Sequence, residues 1–117
     1  MSERNLIFLL EDIQQSILEI KLFIKDYTFE TYLFDLKTRY AVERNFTVIG
    51  EAASRVDKDF QNINNQIKWR DLKDFRNFVV HEYFGVDNNI VWNIIQNDLT
   101  ALLTEISILL AKEKNNF

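Results

Sequence analysis

The stretch LIFLLEDIQQSILEIKLFI, residues 6–24, decides the fold of this chain. Its apolar residues recur every three or four positions, which is the spacing of one buried face of an amphipathic helix. We therefore predict a first helix over about residues 3–25. Its buried face is expected to consist of Leu6, Leu10, Ile13, Ile17, Ile20 and Ile24.

The remaining sequence also favours helix, because it contains no proline and only two glycines. Three further helices are predicted, over residues 29–55, from Trp69 to Tyr83 or Phe84, and from Asp87 onward. A polar connector is expected at residues 57–66, with a helical turn around Phe60. The sequence thus predicts an all-α fold, an up-and-down four-helix bundle that forms a single domain over residues 1–117.

Single residues refine these helices. Thr28 and Asp87 are predicted N-caps, and Gly85 suits the left-handed residue that follows a helix end. Gly50 lies inside the second helix, where glycine costs about 1 kcal/mol relative to alanine, so a close approach to a neighbouring helix is the expected compensation. The second helix is expected to be buried on two sides, one with Leu33, Leu36, Tyr40, Thr47 and Ala52 and the other with Val42, Phe46, Ile49 and Ala53.

Composition limits the classes of function. The ten Phe, four Tyr and two Trp are many for 117 residues, so part of this aromatic surface is expected to contact a second subunit. The absence of cysteine excludes disulfides and thiolate metal sites. No apolar run reaches the roughly 20 residues that a membrane helix needs, and the N-terminus lacks the pattern of a signal peptide. We expect a cytoplasmic protein without a membrane partner.

Charge argues against a protein that coats long nucleic acids, since the net charge is −4 and non-specific affinity comes mainly from neutralised phosphates. Residues 68–76 contain four basic and two acidic residues, so this run has a local net charge of +2. This run predicts a small basic cleft that touches a few phosphates. A second, looser basic group consists of Lys37, Arg39 and Arg44.

The candidate chemistry centres on His81, the only histidine. Imidazole exchanges protons near neutral pH, and Arg76, five residues earlier, offers the fork that suits a phosphate. Asn77 shares a helix face with His81, and Tyr83 adds a hydroxyl. Each residue also has an ordinary structural explanation: a hydrogen-bonded histidine, a half-buried tyrosine, or an ion pair of Arg76 with Asp71 or Asp74. One histidine without cysteine does not supply a usual zinc site, so no metal site is predicted.

The run Arg76-Asn77-Phe78-Val79-Val80-His81-Glu82-Tyr83 resembles the R-x4-H-x-Y motif of HEPN-domain proteins. It is most similar to that of the HepT-like toxins, which are paired with minimal nucleotidyltransferase (MNT) antitoxins. Gly50-Glu51-Ala52 in the second helix is similar to that family's Gly-Glu-Ala, and Trp69 and Val91-Trp92 also match.

This resemblance implies a HEPN-like bundle and a metal-independent endoribonuclease toxin of a type II toxin–antitoxin system. It implies a homodimer with the active cleft at the interface, no cofactor, and an RNA substrate such as tRNA or mRNA. Arg76 and His81 would be catalytic, and Asn77 and Tyr83 would support the site or contact RNA. The cognate nucleotidyltransferase antitoxin would silence the toxin by AMPylation of Tyr83.

Two other functions remain open on the residues alone. The chain could be a non-catalytic partner subunit that binds the substrate or nucleotide of a nucleotidyltransferase. It could also be a purely structural dimerisation bundle, but that function leaves Arg76, Asn77 and His81 without a role.

Overall fold

The computed structural model describes residues 1–79 and 85–116 of the chain. This part contains helices and no strand, which confirms the predicted all-α class. The helices are α1 (Glu3–Phe23), α2 (Phe29–Phe34), α3 (Leu36–Arg55), α4 (Lys58–Ile63), α5 (Trp69–Val79), α6 (Asn88–Asn97) and α7 (Leu99–Asn116). The predicted continuation of the third helix to Tyr83 or Phe84 lies outside the described residues.

α1 lies between α3 and α7, and α5 packs against another side of α3. The predicted buried face of α1 is confirmed from Leu6 to Ile20, whereas Ile24 is only half-buried. α6 is anchored by Trp92, whose ring lies 5.2 Å from that of the buried Tyr32 in α2. Burial raises the pKa of the Tyr32 hydroxyl, so that group stays neutral.

The single helix predicted over residues 29–55 is wrong, because the chain leaves helical geometry at Asp35 (φ −104°, ψ 88°). The Asp35 carboxylate accepts a hydrogen bond from the Thr38 backbone N–H and so caps α3. It also accepts a hydrogen bond from the Tyr27 hydroxyl, which ties the cap to the preceding turn. An aspartate with these partners begins a new helix and does not continue the old one.

The predicted fourth helix is likewise two helices, with a bend of 55° between α6 and α7 at Asp98. The bend keeps apolar residues of both helices in the core, including Val91 and Ile95 before it and Leu99 and Ile106 after it. No described helix alone is long and apolar enough to span a membrane, although α6 and α7 counted together reach that length and composition.

The predicted turn residues are confirmed. Thr28 accepts a hydrogen bond from the Thr31 backbone N–H at the start of α2, and Asp87 accepts from two backbone N–H groups at the start of α6. Gly85 has a φ of +73°, the left-handed conformation expected of it. The connector carries the short helix α4 around Phe60.

One of the two predicted sides of the long helix is buried only in part. On the side with Leu36, Tyr40 and Ala52, Ala52 is buried but Leu36 and Tyr40 are 49% and 61% exposed. On the other side, Val42, Phe46, Ile49 and Ala53 are buried as predicted. Ile90 near the start of α6 is also exposed. The break at Asp35 separates α2 from α3, so the apolar residues before and after it do not form one continuous helical face.

The Asp35 cap predicts a pH-dependent contribution to stability. Hydrogen bonds from Tyr27 and Thr38 hold the pKa of Asp35 below its usual value. A carboxylate with a lowered pKa in the folded state stabilises the fold above its unfolded pKa of about 3.9, and this contribution is lost as the pH falls through the folded pKa. We expect Asp35→Ala to lower the Tm at pH 7 and to flatten the fall of Tm in acid, as measured by circular dichroism.

The matched control is Asp12→Ala, which removes an exposed carboxylate from the middle of α1. Its Tm profile should follow that of the wild type. If Asp35→Ala and Asp12→Ala have the same Tm at every pH, the proposed role of the cap is wrong.

Candidate active site around Arg76

The position of α5 is set by aromatic and polar contacts at its start and on its inner face. The Trp69 indole N–H donates to the Asn64 carbonyl oxygen at 3.0 Å, which fixes the first residue of α5. Phe75 meets Phe46 of α3 edge to face, with ring centroids 5.2 Å apart. Because both phenyl rings are buried, α5 is held against the middle of α3.

Gly50 lets α3 and α5 approach closely, as its place inside a helix predicted. A Cβ atom at this position would lie 3.1 Å from the Arg76 Cβ, 3.2 Å from the Arg76 backbone nitrogen and 3.3 Å from the Leu72 carbonyl oxygen. These distances are shorter than ordinary van der Waals contacts. The missing side chain of Gly50 therefore determines where the backbone of Arg76 can lie.

The next residue in α3, Glu51, holds the Arg76 side chain. Its Oε1 accepts a hydrogen bond from Arg76 Nη1 at 2.9 Å, and both side chains remain nearly half exposed. The ion pair predicted for Arg76 with Asp71 or Asp74 is therefore wrong, because the partner comes from another helix. The Gly-Glu pair thus does two things: glycine admits the arginine backbone and glutamate orients its guanidinium.

Of the other candidate site residues, the structure describes Asn77. Asn77 is exposed, and its amide lies 3.4 Å from an Asp74 carboxylate oxygen, a long contact within α5. His81 and Tyr83 lie outside the described residues, so the predicted pairing of Arg76 with His81 and of Asn77 with His81 stays a prediction. The chain is described again from Gly85, which leads into α6.

The basic run at residues 68–76 does not form the single cleft predicted for it. The Lys73 ammonium donates to the Gln61 side-chain oxygen at 3.2 Å. Lys68 lines a separate cavity of about 270 Å³ together with Asp71 and residues of the α6–α7 bend. Because successive residues of a helix point in different directions, these basic side chains lie on different sides of α5. Among the described charged groups, Arg76 forms an ion pair only with Glu51.

This arrangement suits binding of a phosphate. A guanidinium carries five N–H donors, and one donor of Arg76 is used by Glu51, so the others can form a charge-assisted fork with phosphate oxygens. The site is open to solvent, as an RNA backbone requires. Among the described residues, no group of three or more imidazole or carboxylate side chains could hold a metal ion.

The all-α fold, with Arg76 of the R-x4-H-x-Y sequence beside a Gly-Glu pair, is consistent with the class of HEPN-type proteins. Sequence comparison agrees with this class. The family model described as ribonuclease HepT-like matches residues 13–109. The chain therefore belongs to the HepT-like ribonuclease family, which confirms the resemblance to that family and groups the chain with ribonucleases.

Individual relatives cover most of the chain. It is 38% identical to "Probable ribonuclease HepT" of Thermococcus cleftensis, over 80% of this chain and 84% of the relative. It is 32% identical to "Putative RNase MJ1380" of Methanocaldococcus jannaschii, over 92% of this chain and 99% of the relative. For "Putative RNase MJ0127" of the same organism the identity is 35%, over 91% and 88% of the two chains. No solved structure matches significantly.

Sequence reasoning used Glu51 only as part of a resemblance and did not assign it to Arg76. The structure makes Glu51 a positioning residue, which can be tested by Glu51→Gln. We expect kcat for RNA cleavage to fall about tenfold, because the guanidinium loses a charged hydrogen-bond partner. We expect KM to fall as well, since the carboxylate no longer competes with phosphate for Arg76. Steady-state kinetics on a labelled RNA would measure both constants.

The control is Glu11→Gln, which breaks the other ion pair of the described residues, Lys114–Glu11 at 3.3 Å. Both variants should change the free energy of unfolding by less than about 1 kcal/mol, because both pairs are exposed. A Glu51→Gln variant with the kcat and KM of the wild type would show that the ion pair has no part in cleavage.

Proposed function

We propose that this chain is a metal-independent endoribonuclease toxin of a type II toxin–antitoxin pair and needs no cofactor. The observation that carries the proposal is the position of the Arg76 guanidinium, which Glu51 holds in a half-exposed place. Arg76 lies five residues before His81 in the sequence. Membership of the HepT-like ribonuclease family supports an RNA substrate, for which we propose tRNA or mRNA. The catalytic residues would be Arg76 and His81, with Asn77 and Tyr83 in contact with RNA.

The proposed reaction uses the ribose 2′-OH as an internal nucleophile. As the 2′ oxygen bonds to the adjacent phosphorus, His81 accepts its proton. The bond from phosphorus to the 5′ oxygen breaks, and that oxygen takes a proton from a His81 imidazolium. The products are a 2′,3′-cyclic phosphate and a 5′ hydroxyl. Acid–base catalysis of this kind is worth about 10²–10⁴-fold. The fork of Arg76 would stabilise the charge that develops on the phosphoryl oxygens.

We propose that the active form is a cytoplasmic homodimer with its cleft at the interface. Support comes from large apolar side chains that remain exposed on the single chain, such as Phe34 at 84% and Ile63 at 80%. The proposed inhibitor is a cognate MNT-type nucleotidyltransferase that transfers AMP to Tyr83. The added bulk and negative charge would exclude RNA from a site that binds phosphate.

Expression of the wild type beside His81→Ala tests the ribonuclease. We expect only the wild type to arrest growth and to cleave RNA in the presence of EDTA. If both proteins are harmless and neither cleaves RNA, the ribonuclease is excluded. If both bind a nucleotidyltransferase and change only its activity, the chain is instead a non-catalytic partner subunit.

Mass spectrometry of the toxin after co-expression with its nucleotidyltransferase tests the inhibition. We expect a mass increase of one AMP on the peptide that contains Tyr83, and no increase with Tyr83→Phe. An unmodified Tyr83 in a silenced complex would exclude AMPylation as the means of control.

A further inference from the structure

Two arginines that the motif does not include share the exposed ridge of α3 with Glu51. Arg44, Glu51 and Arg55 are spaced by seven and four residues, so they lie on one face of the helix. We call these three residues the α3 ridge. At 1.5 Å per residue, the two arginines lie about 16 Å apart along the helix axis. Both are exposed, and neither forms an ion pair within residues 1–79 and 85–116.

The ridge borders a groove of about 340 Å³ between α1 and α3. Leu9 and Asp12 line it from α1, and all three ridge residues line it from α3. Glu51 both lines the groove and binds Arg76, so the groove lies beside the candidate active site. Arg44 precedes Glu51 on α3 and Arg55 follows it, so the ridge extends to either side of this point.

The charge of this surface is opposite to that of the whole protein. Arg44, Arg55 and Arg76 give three positive charges, and Asp12 and Glu51 give two negative ones, for a local net charge of +1. The whole chain carries −4, so the remaining residues carry −5. This surface therefore attracts an RNA backbone although the chain as a whole is acidic.

We propose that the α3 ridge binds the backbone of single-stranded RNA on both sides of the phosphate held at Arg76. Arg44 contacts a phosphate on one side of the cleaved bond and Arg55 contacts one on the other. This inference rests on the proposed ribonuclease function and adds the class of RNA to it. A single strand is required because attack by the 2′ oxygen needs that oxygen in line with the leaving 5′ oxygen, and base-paired A-form RNA holds the two out of line. Unpaired segments are also the usual targets of RNA-binding proteins.

The test measures binding of a short 2′-O-methyl single-stranded oligonucleotide, which cannot be cleaved, by fluorescence anisotropy over a range of salt concentrations. The variant is Arg44→Gln with Arg55→Gln. The matched control is Lys68→Gln with Lys112→Gln, which removes two exposed cations that do not line the groove. Both double variants change the formal net charge from −4 to −6.

We expect the ridge variant to bind about tenfold more weakly at low salt than the control, since two exposed charge contacts are lost. Each phosphate contact on a single strand contributes about 0.7 to the slope of log affinity against log salt, so the slope should become shallower by about 1.4. A base-paired 2′-O-methyl duplex should bind the wild type more weakly than the single strand.

Other outcomes separate the two proposals. If the wild type cleaves RNA but the ridge variant binds with the affinity and salt slope of the control, only the ridge is excluded. If the wild type neither binds the oligonucleotide nor cleaves RNA, the ribonuclease proposal fails as well. If the ridge variant changes the sedimentation mass of the protein and leaves RNA affinity unchanged, the ridge is a contact between subunits, and the inference is wrong.

Discussion

Replacing Arg76 by lysine is expected to lower the rate of RNA cleavage by about 10²–10³-fold, the loss that follows removal of one preorganised donor at a developing oxyanion. Lysine keeps the charge but not the planar fork, and it contacts a phosphate as a point charge. The Glu51 carboxylate would also hold an ammonium less specifically than it holds the guanidinium. Single-turnover rates with saturating protein would separate this chemical effect from weaker binding.

The fold should tolerate this change. The Arg76 side chain is 46% exposed and its ion pair is at the surface, so the free energy of unfolding should change by less than about 1 kcal/mol. Arg70→Lys is the control, because Arg70 is exposed on the same helix and lies outside the motif. If Arg76→Lys cleaves RNA within threefold of the rate of Arg70→Lys, the fork of Arg76 has no part in the chemistry.

Replacing Gly50 by leucine is expected to have the largest effect on stability. Even a Cβ atom at this position would lie 3.1 Å from the Arg76 Cβ, and a leucine adds three further carbons between α3 and α5. Overpacking of this kind typically costs about 1–3 kcal/mol. Urea unfolding followed by circular dichroism would measure the loss. The rate of RNA cleavage should fall as well, because α3 and α5 must separate and this moves Arg76 away from Glu51.

The smaller substitution Gly50→Ala should have a free energy of unfolding between those of the wild type and Gly50→Leu. Alanine gains about 1 kcal/mol of helix propensity, which opposes the close contact with the Arg76 and Leu72 backbones. Ser54→Leu is the matched control, since Ser54 is exposed near the end of the same helix, and such surface changes usually cost within 0.5 kcal/mol. If Gly50→Leu and Ser54→Leu unfold at the same urea concentration, the close approach at Gly50 is not a constraint on the fold.

Much of the fold could be predicted from local patterns. The three-and-four spacing from Leu6 to Ile20 identified the buried face of α1, because the period of apolar residues directly reflects which face of a helix avoids water. Thr28, Gly85 and Asp87 were predicted correctly because caps and left-handed turns depend on side-chain chemistry within a few residues.

The breaks at Asp35 and Asp98 were not predicted. An isolated aspartate in a helical pattern is compatible with an exposed position on a continuous helix. At residue 35 a helix ends, and Tyr27 and Thr38 both donate hydrogen bonds to the aspartate carboxylate there. The bend at Asp98 follows from burial of apolar residues on both sides of it, which depends on the positions of the other helices.

The candidate site shows the same division. Arg76, Asn77, His81 and Tyr83 were identified by their spacing and by their resemblance to the HEPN motif, and the family match agrees with that class. The partner of Arg76 was predicted wrongly, because nearby aspartates in α5 were the only candidates that spacing could offer. Glu51 lies 25 residues away in the sequence, and only the contact of α3 with α5 brings it within 2.9 Å.

The sequence by itself determined the all-α class, the motif and the family, because helix periodicity, caps and motif spacing are local properties of the chain. The tertiary structure decided which residues support the motif arginine. It placed Glu51 beside Arg76, divided the basic run of residues 68–76 among different surfaces, and brought α1 alongside Arg44 and Arg55 to form a groove. Contacts between helices depend on the distance between them, and for α3 and α5 that distance is set by the absence of a side chain at Gly50.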